Sequence, residues 1–283
     1  MDSLAAVIAS FAIYACAGWL FESILCSISE KRFVNRGFLN GPICPIYGAG
    51  ALVAVLFLGG EPDGMRLFCW GAVACSLLEY LTSWAMEKIY HTRWWDYSDR
   101  FLNLNGRICV PATLLFGLFV VLVVRVIQPA LEALFSMTDP QLLSAICGVF
   151  IAVLAIDLLV THIGLSGFRN KIDAYCDQLT LQAQGIYATF VKGDNVVAYN
   201  VRRLKRSPLG HVYVRLRELM PGPVAIEDIG HDLADSFSAA LTAQERRVMD
   251  AFPHMRINVG GLGILRELGQ SARDKLHGPD GDG

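Results

Sequence analysis

Three carboxylates stand where a lipid bilayer would make them expensive: Glu22, Glu79 and Asp157 each lie inside a long apolar run. A charged side chain at the centre of a bilayer helix costs about 2.5–3.5 kcal/mol on insertion scales, so such groups answer a ligand, an ion or a buried counter-charge. On the helical face of Glu22 lie Ala15, Gly18, Cys26 and Ser29, small residues that let helices approach closely. The face of Glu79 carries Ser76, Tyr80, Ser83 and Glu87, a polar stripe unsuited to acyl chains. Asn35 with Arg36, and Asn103 with Asn105 and Arg107, come from two connections rich in basic residues. The two arginines are the expected partners of the carboxylates. Acids, bases and amides converging in this way predict a polar, water-accessible cavity that opens toward the cytoplasm. The plainer alternative is an ion-pair staple that holds helices in register without any ligand.

The elements that must carry these groups are apolar helices. Of 283 residues, 54% are hydrophobic, and mean hydropathy is +0.43. That is more apolar than an ordinary soluble domain. Apolar runs cover Leu4–Ile28, Gly41–Leu58, Met65–Tyr90, Ile108–Ile127 and Leu142–Ile163. A spanning helix needs about 20 residues. The second run is the shortest and opens on Pro42 and Pro45, which read as a helix entrance, with a short re-entrant segment as the alternative. The predicted fold class is therefore all-α: a polytopic membrane bundle of about five transmembrane helices with a cytoplasmic helical C-terminal extension. At a rise of 1.5 Å per residue, Glu22 and Glu79 fall roughly 10–15 Å above the cytoplasmic helix ends, with Asp157 at a similar level.

Loop charge sets the orientation. Lys31, Arg32 and Arg36 follow the first run, and Lys88, Arg93, Arg100 and Arg107 flank the connection between the third and fourth. Arg169, Lys171, Arg202, Arg203, Lys205 and Arg206 follow the fifth. The remaining connections mix Arg66 and Arg125 with Glu61, Asp63, Glu132 and Asp139. Lys and Arg collect on the cytoplasmic side. That places the N-terminus outside and the C-terminus in the cytoplasm of a multi-pass plasma (inner) membrane protein. The domain plan is a transmembrane bundle over 1–164, a cytoplasmic helical extension over 165–270 and a disordered tail over 271–283. In the extension, Leu165, Phe168, Ile172, Tyr175, Leu179, Ala183, Ile186 and Phe190 form a helical stripe that should bury against a partner. Intramolecular packing is expected, because amphipathic segments follow at Tyr213–Met220 and Asp232–Phe252, separated by Pro221-Gly222-Pro223. A homodimeric coiled coil is the alternative.

Several chemistries are excluded. No G-x-x-x-x-G-K-[ST], H-E-x-x-H or G-x-S-x-G stretch occurs, so no ATPase or hydrolase motif lies in this chain. The eight cysteines form no C-x-x-C pair and read as small hydrophobes. His91 and His162 lack a second ligand at helical spacing, so no metal is expected, and no cofactor either. A net charge of −2 gives no field for nucleic acid. The opening residues lack a basic start and a small-residue cleavage site, so the first apolar run is expected to remain in the mature protein. Trp94-Trp95-Asp96-Tyr97 reads as an aromatic anchor at headgroup level, while Trp19, one turn from Glu22, could line the cavity.

Certain stretches resemble a known family. They are Gly18-Trp19-Leu20-Phe21-Glu22, Asn35 through Gly48, Leu78-Glu79-Tyr80-Leu81-Thr82-Ser83, Trp94-Trp95-Asp96-Tyr97-Ser98 and Asn103-Leu104-Asn105-Gly106-Arg107-Ile108. Together they cover about 8–130 and are similar to the bacterial membrane family of ABC-transporter type IV, or CmpB-like, permeases. Ala251-Phe252-Pro253-His254-Met255-Arg256 resembles the tail of longer members. The resemblance implies a transporter subunit that works with a separate ATPase and contacts membrane lipid. It brings no catalytic residue set. The candidate substrate-binding residues are Glu22, Arg36, Asn35, Glu79, Asn103, Asn105, Arg107, Trp19 and Tyr47. A lipid-binding protein or enzyme using the same carboxylates at the inner leaflet is one alternative. A scaffold or signalling protein acting through its cytoplasmic tail, with or without homo-oligomer formation, is another.

Overall fold

A computed structural model of the chain describes residues 3–90, 92–168, 170–174, 177–178, 239–252 and 256–257. Helices dominate. In chain order they are α1 (Leu4–Glu30), α2 (Pro45–Leu58), α3 (Gly64–Tyr90), α4 (Val110–Leu122), α5 (Gln128–Ser136), α6 (Pro140–Leu165) and α7 (Ala243–Ala251). Two-residue strands β1 (Thr92–Arg93), β2 (Asn103–Leu104), β3 (Ile108–Cys109) and β4 (Arg256–Ile257) complete the elements. β2 pairs antiparallel with β3, and β1 with β4.

Three stretches are long and apolar enough to cross a membrane among the described residues: Leu4–Glu30, Val110–Ser136 and Pro140–Ala174. Their outer faces carry exposed Leu20, Ile24, Leu118, Leu142 and Ile156, the pattern of helices whose solvent is lipid. α3 has the length, at 27 residues, but Arg66, Glu79, Glu87 and Lys88 dilute its hydropathy. The second apolar run departs from a full-length span. Its helix begins only at Pro45, and 14 residues give about 21 Å, short of the hydrocarbon thickness. Pro42 lies outside the helix, in an irregular stretch from Asn35 to Cys44.

That stretch is packed inside the protein. Leu39 and Ile43 are buried with Ala15 of α1, and Phe11, Phe150 and Leu154 close around them. Irregular backbone needs partners when it leaves water. Cys44 N–H donates to the Ala15 carbonyl at 3.0 Å, and Ile43 N–H to the Gly41 carbonyl at 2.8 Å. α1 and α2 meet closely because glycines stand at the contact: a Cβ on Gly48 would come within 2.7 Å of the Phe11 ring, and one on Gly18 would overlap Tyr47.

α4 runs into α5 through a π-turn, Val123–Ile127. Pro129 has no N–H to close the preceding turn, which accounts for the wider register. Arg125, on that turn, donates to the Glu61 and Pro62 carbonyls at 2.6 and 2.8 Å. Ala54, Leu67, Val120 and Val124 form the core joining α2, α3 and α4.

The chain divides into two compact units: Met1–Ile89 with Trp94–Ile163 and Asp250–Phe252, and Tyr90–Arg93 with Gly164–Met249 and Pro253–Gly283. In the second, Leu165, Phe168 and Ile172 of the expected stripe are buried, as are Leu241 and Val248. Thr242 and Glu245 form a reciprocal capping box at the start of α7: Glu245 N–H donates to Thr242 Oγ1 at 3.2 Å, and Thr242 N–H to Glu245 Oε2 at 2.6 Å. Lys171 pairs with the same carboxylate at 2.7 Å. The rest of the stripe (Tyr175, Leu179, Ala183, Ile186 and Phe190), the segment Tyr213–Met220, the Pro221-Gly222-Pro223 break and the tail 271–283 lie outside the described residues.

Candidate functional site

Glu22 projects from α1 and receives two partners. The Tyr47 hydroxyl donates to its Oε1 at 2.5 Å, and Arg36 Nε lies 3.5 Å from Oε2. Gly18, one turn before Glu22, leaves the space that the Tyr47 ring occupies. Two serines of α1 tie down the chain that carries Arg36: Val34 N–H donates to Ser27 Oγ at 2.9 Å and Arg36 N–H to Ser23 Oγ at 3.1 Å. Arg36 is held from a further side. Its Nη1 donates to the Ala251 carbonyl at 2.8 Å, and its guanidinium lies 4.3 Å from the Phe252 ring centroid. Trp19 Nε1 donates to Asn35 Oδ1 at 2.8 Å, so these two predicted residues support the loop beside Glu22.

Glu79 comes from α3 and is only 8% exposed. Its Oε1 accepts the Tyr97 hydroxyl at 3.1 Å, whereas Oε2 has no hydrogen-bond partner among the described residues. Glu22 and Glu79 are within electrostatic reach of each other, and so are Tyr47 and Tyr97. Burial pushes the Tyr97 phenol far above its usual range, and the charges of Glu79 and Glu22 push it the same way. Its proton therefore stays in place as a donor. The four side chains form two carboxyl–phenol pairs from different parts of the chain.

Other expected residues turn elsewhere. Arg107 does not neutralise Glu79; it pairs with Glu87 at 2.7 Å, donates to Ser83 at 3.2 Å and lies 5.5 Å from the Tyr80 ring centroid. Asn105 donates to the Tyr80 hydroxyl at 3.0 Å. Asn103 Nδ2 donates to the Ser98 and Arg100 carbonyls, and its Oδ1 accepts from Gly106 N–H. The polar stripe of α3 is thus a seat for the loop over 94–109. The reason is local: a loop with Asn105 and Gly106 at positive φ leaves backbone groups that nearby side chains must satisfy.

Asp157 also departs from the shared site. Its Oδ1 accepts from Asn40 N–H at 3.0 Å, Asn40 Nδ2 at 2.8 Å and Thr161 Oγ1 at 3.3 Å, and its Oδ2 from Gly41 N–H at 2.8 Å. It anchors the irregular stretch before α2. Trp94 is no headgroup anchor either: it is 1% exposed, edge-on to Phe38 at 5.4 Å and to Phe252 at 5.1 Å.

The residues that sequence reasoning missed are Tyr97 and the pair Ala251–Phe252. Tyr97 sits in an aromatic run whose usual meaning is an interface belt, which masked its hydroxyl. Ala251 meets Arg36 across 215 positions, a separation that no spacing rule reaches. Chemically the arrangement offers carboxylates, phenols and a guanidinium. Among the described residues no group of three or more His, Cys, Asp and Glu side chains is placed to hold a metal ion.

A family model described as "Putative ABC-transporter type IV" matches residues 9–162. No curated protein and no solved structure matches the chain.

Proposed function

The chain belongs to the family described as "Putative ABC-transporter type IV", and on that premise we infer that it is the membrane-embedded subunit of a transporter whose substrate meets the Glu22–Glu79 site. The observation that carries this reading is a carboxyl group on each of α1 and α3, both bonded to a phenol. Two such groups exceed what a helix staple needs, and Glu79 keeps a buried oxygen with no hydrogen-bond partner among the described residues. A polar cavity in the cytoplasmic half of the bundle gives the substrate access.

α2 and α3 join the three long apolar helices as shorter or more polar crossings, giving five passes in a plasma membrane. The N-terminus lies outside and the C-terminus in the cytoplasm, as the basic connections favour. The bundle over 1–164 contacts lipid, and residues 165–270 form the cytoplasmic extension. With no ATPase motif in the chain, a separate ATPase subunit supplies the energy.

The test is purification in mild detergent from the native host, followed by mass spectrometry of retained proteins and small molecules. A nucleotide-binding partner, and a small molecule lost from the Glu22→Gln/Glu79→Gln double variant, are the expected results. Recovery of the same small molecules from both proteins, with no ATPase, defeats the reading. A retained phospholipid dependent on both carboxylates favours a lipid-binding function instead.

A further inference from the structure

We propose that the Glu22–Glu79 site takes an organic ammonium group, held through Glu79 Oε2. This deepens the transport reading and rests on it.

Hydrogen-bond capacity is the first argument. Each phenol has one proton, and each gives it to a carboxyl group: Tyr47 to Glu22 and Tyr97 to Glu79. With Glu79 ionised, what remains around the site is a set of acceptors, namely Glu79 Oε2 and the lone pairs of the two phenol oxygens. Glu79 Oε2 is buried and unpartnered among the described residues. A ligand that fills this gap must bring donors. An ammonium group has up to three N–H donors and no acceptor.

Charge is the second argument. Glu22 is matched by Arg36 at 3.5 Å, and Arg107 is engaged by Glu87 at 2.7 Å. Among the described residues Glu79 has no counter-cation, and it lies within reach of the Glu22 charge. An ammonium group would bring the counter-charge that a carboxyl group 8% exposed in that position lacks among the described residues. An anionic or neutral acceptor-rich substrate would worsen both accounts. A divalent metal fits poorly, since among the described residues no cluster of three metal-ligating side chains is available.

The experiment uses the full chain in lipid nanodiscs, with calorimetric titration and thermal unfolding at fixed ionic strength. The probes are propylammonium chloride, tetramethylammonium chloride, sodium chloride and sodium propionate. Saturable binding and a raised unfolding midpoint are expected with propylammonium. Tetramethylammonium, which has no N–H, should bind more weakly. Glu79→Gln should raise the propylammonium Kd by about tenfold or more, and Glu79→Asp, which keeps the charge, should retain part of the affinity. Equal responses to all three chlorides, or an unchanged Kd in Glu79→Gln, overturn the proposal. Saturable propionate binding that vanishes in Glu22→Gln and Glu79→Gln also overturns it, while leaving a carboxyl-dependent substrate site standing. Probe binding that survives intact in the double variant removes both that site and the ammonium assignment.

Discussion

Arg107 closes on Glu87 at 2.7 Å, about two turns along α3 from the Glu79 that it was expected to neutralise. This choice of partner shapes the site. It docks the loop over 94–109 onto α3, brings Tyr97 to Glu79 and leaves Glu79 without a cation among the described residues. Replacing Arg107 with Ala strips Glu87 of a buried partner, and breaking such a pair costs about 3–5 kcal/mol. The expected outcome is a lower unfolding midpoint in detergent, with faster proteolysis within 94–109.

Tyr97→Phe removes the donor to Glu79 Oε1 and preserves the ring. A buried acceptor left unsatisfied costs about 1–3 kcal/mol. Denaturant unfolding should show a loss of that size. The same change in a protein whose Tyr97 pointed to lipid would be silent.

Asp157→Ala withdraws the acceptor of two backbone N–H groups, at Asn40 and Gly41, in the stretch before α2. Hydrogen bonds to a charged group contribute about 1.5–3 kcal/mol. Stability should fall by at least that much, and hydrogen exchange at Asn40 and Gly41 should accelerate. Ligand affinity of the surviving folded fraction should stay nearly unchanged, because Asp157 takes no part in the Glu22–Glu79 set.

Phe252→Ala deprives Arg36 of the ring 4.3 Å from its guanidinium and opens a space beside Trp94. A buried Phe→Ala change costs about 3–5 kcal/mol. Phe252→Tyr, which keeps the ring, should recover most of that loss in thermal unfolding. If Phe252→Ala unfolded at the wild-type midpoint, the Phe252 contact would have no part in holding Arg36.

A fusion of green fluorescent protein after Gly283 should fluoresce, and alkaline phosphatase at the same place should be inactive, as a cytoplasmic C-terminus requires. The reverse pattern would invert the proposed orientation.

Much of the helical frame was legible in the sequence because apolar runs and proline positions act locally. Pro45, read as part of a helix entrance, opens α2. The polar character of Glu22, Tyr47 and Glu79 stood out for a related reason: a polar group in an apolar run has few uses, and the structure joins Glu22 to Tyr47 and Arg36. The departures from the expected partners share one cause. Arg107, Asn103, Asn105 and Asp157 have the chemistry of ligand-binding residues, and equally the chemistry needed to satisfy loop backbone.

Residue order and polarity alone determined that this chain builds long apolar helices carrying a few acids, since hydropathy and helix periodicity act locally. Only the tertiary structure decided which acid receives an arginine, that Tyr97 serves Glu79 and that Phe252 reaches Arg36. Those pairings depend on distances between segments remote in sequence, and hydrogen bonds discriminate among rival partners on a scale of tenths of an ångström.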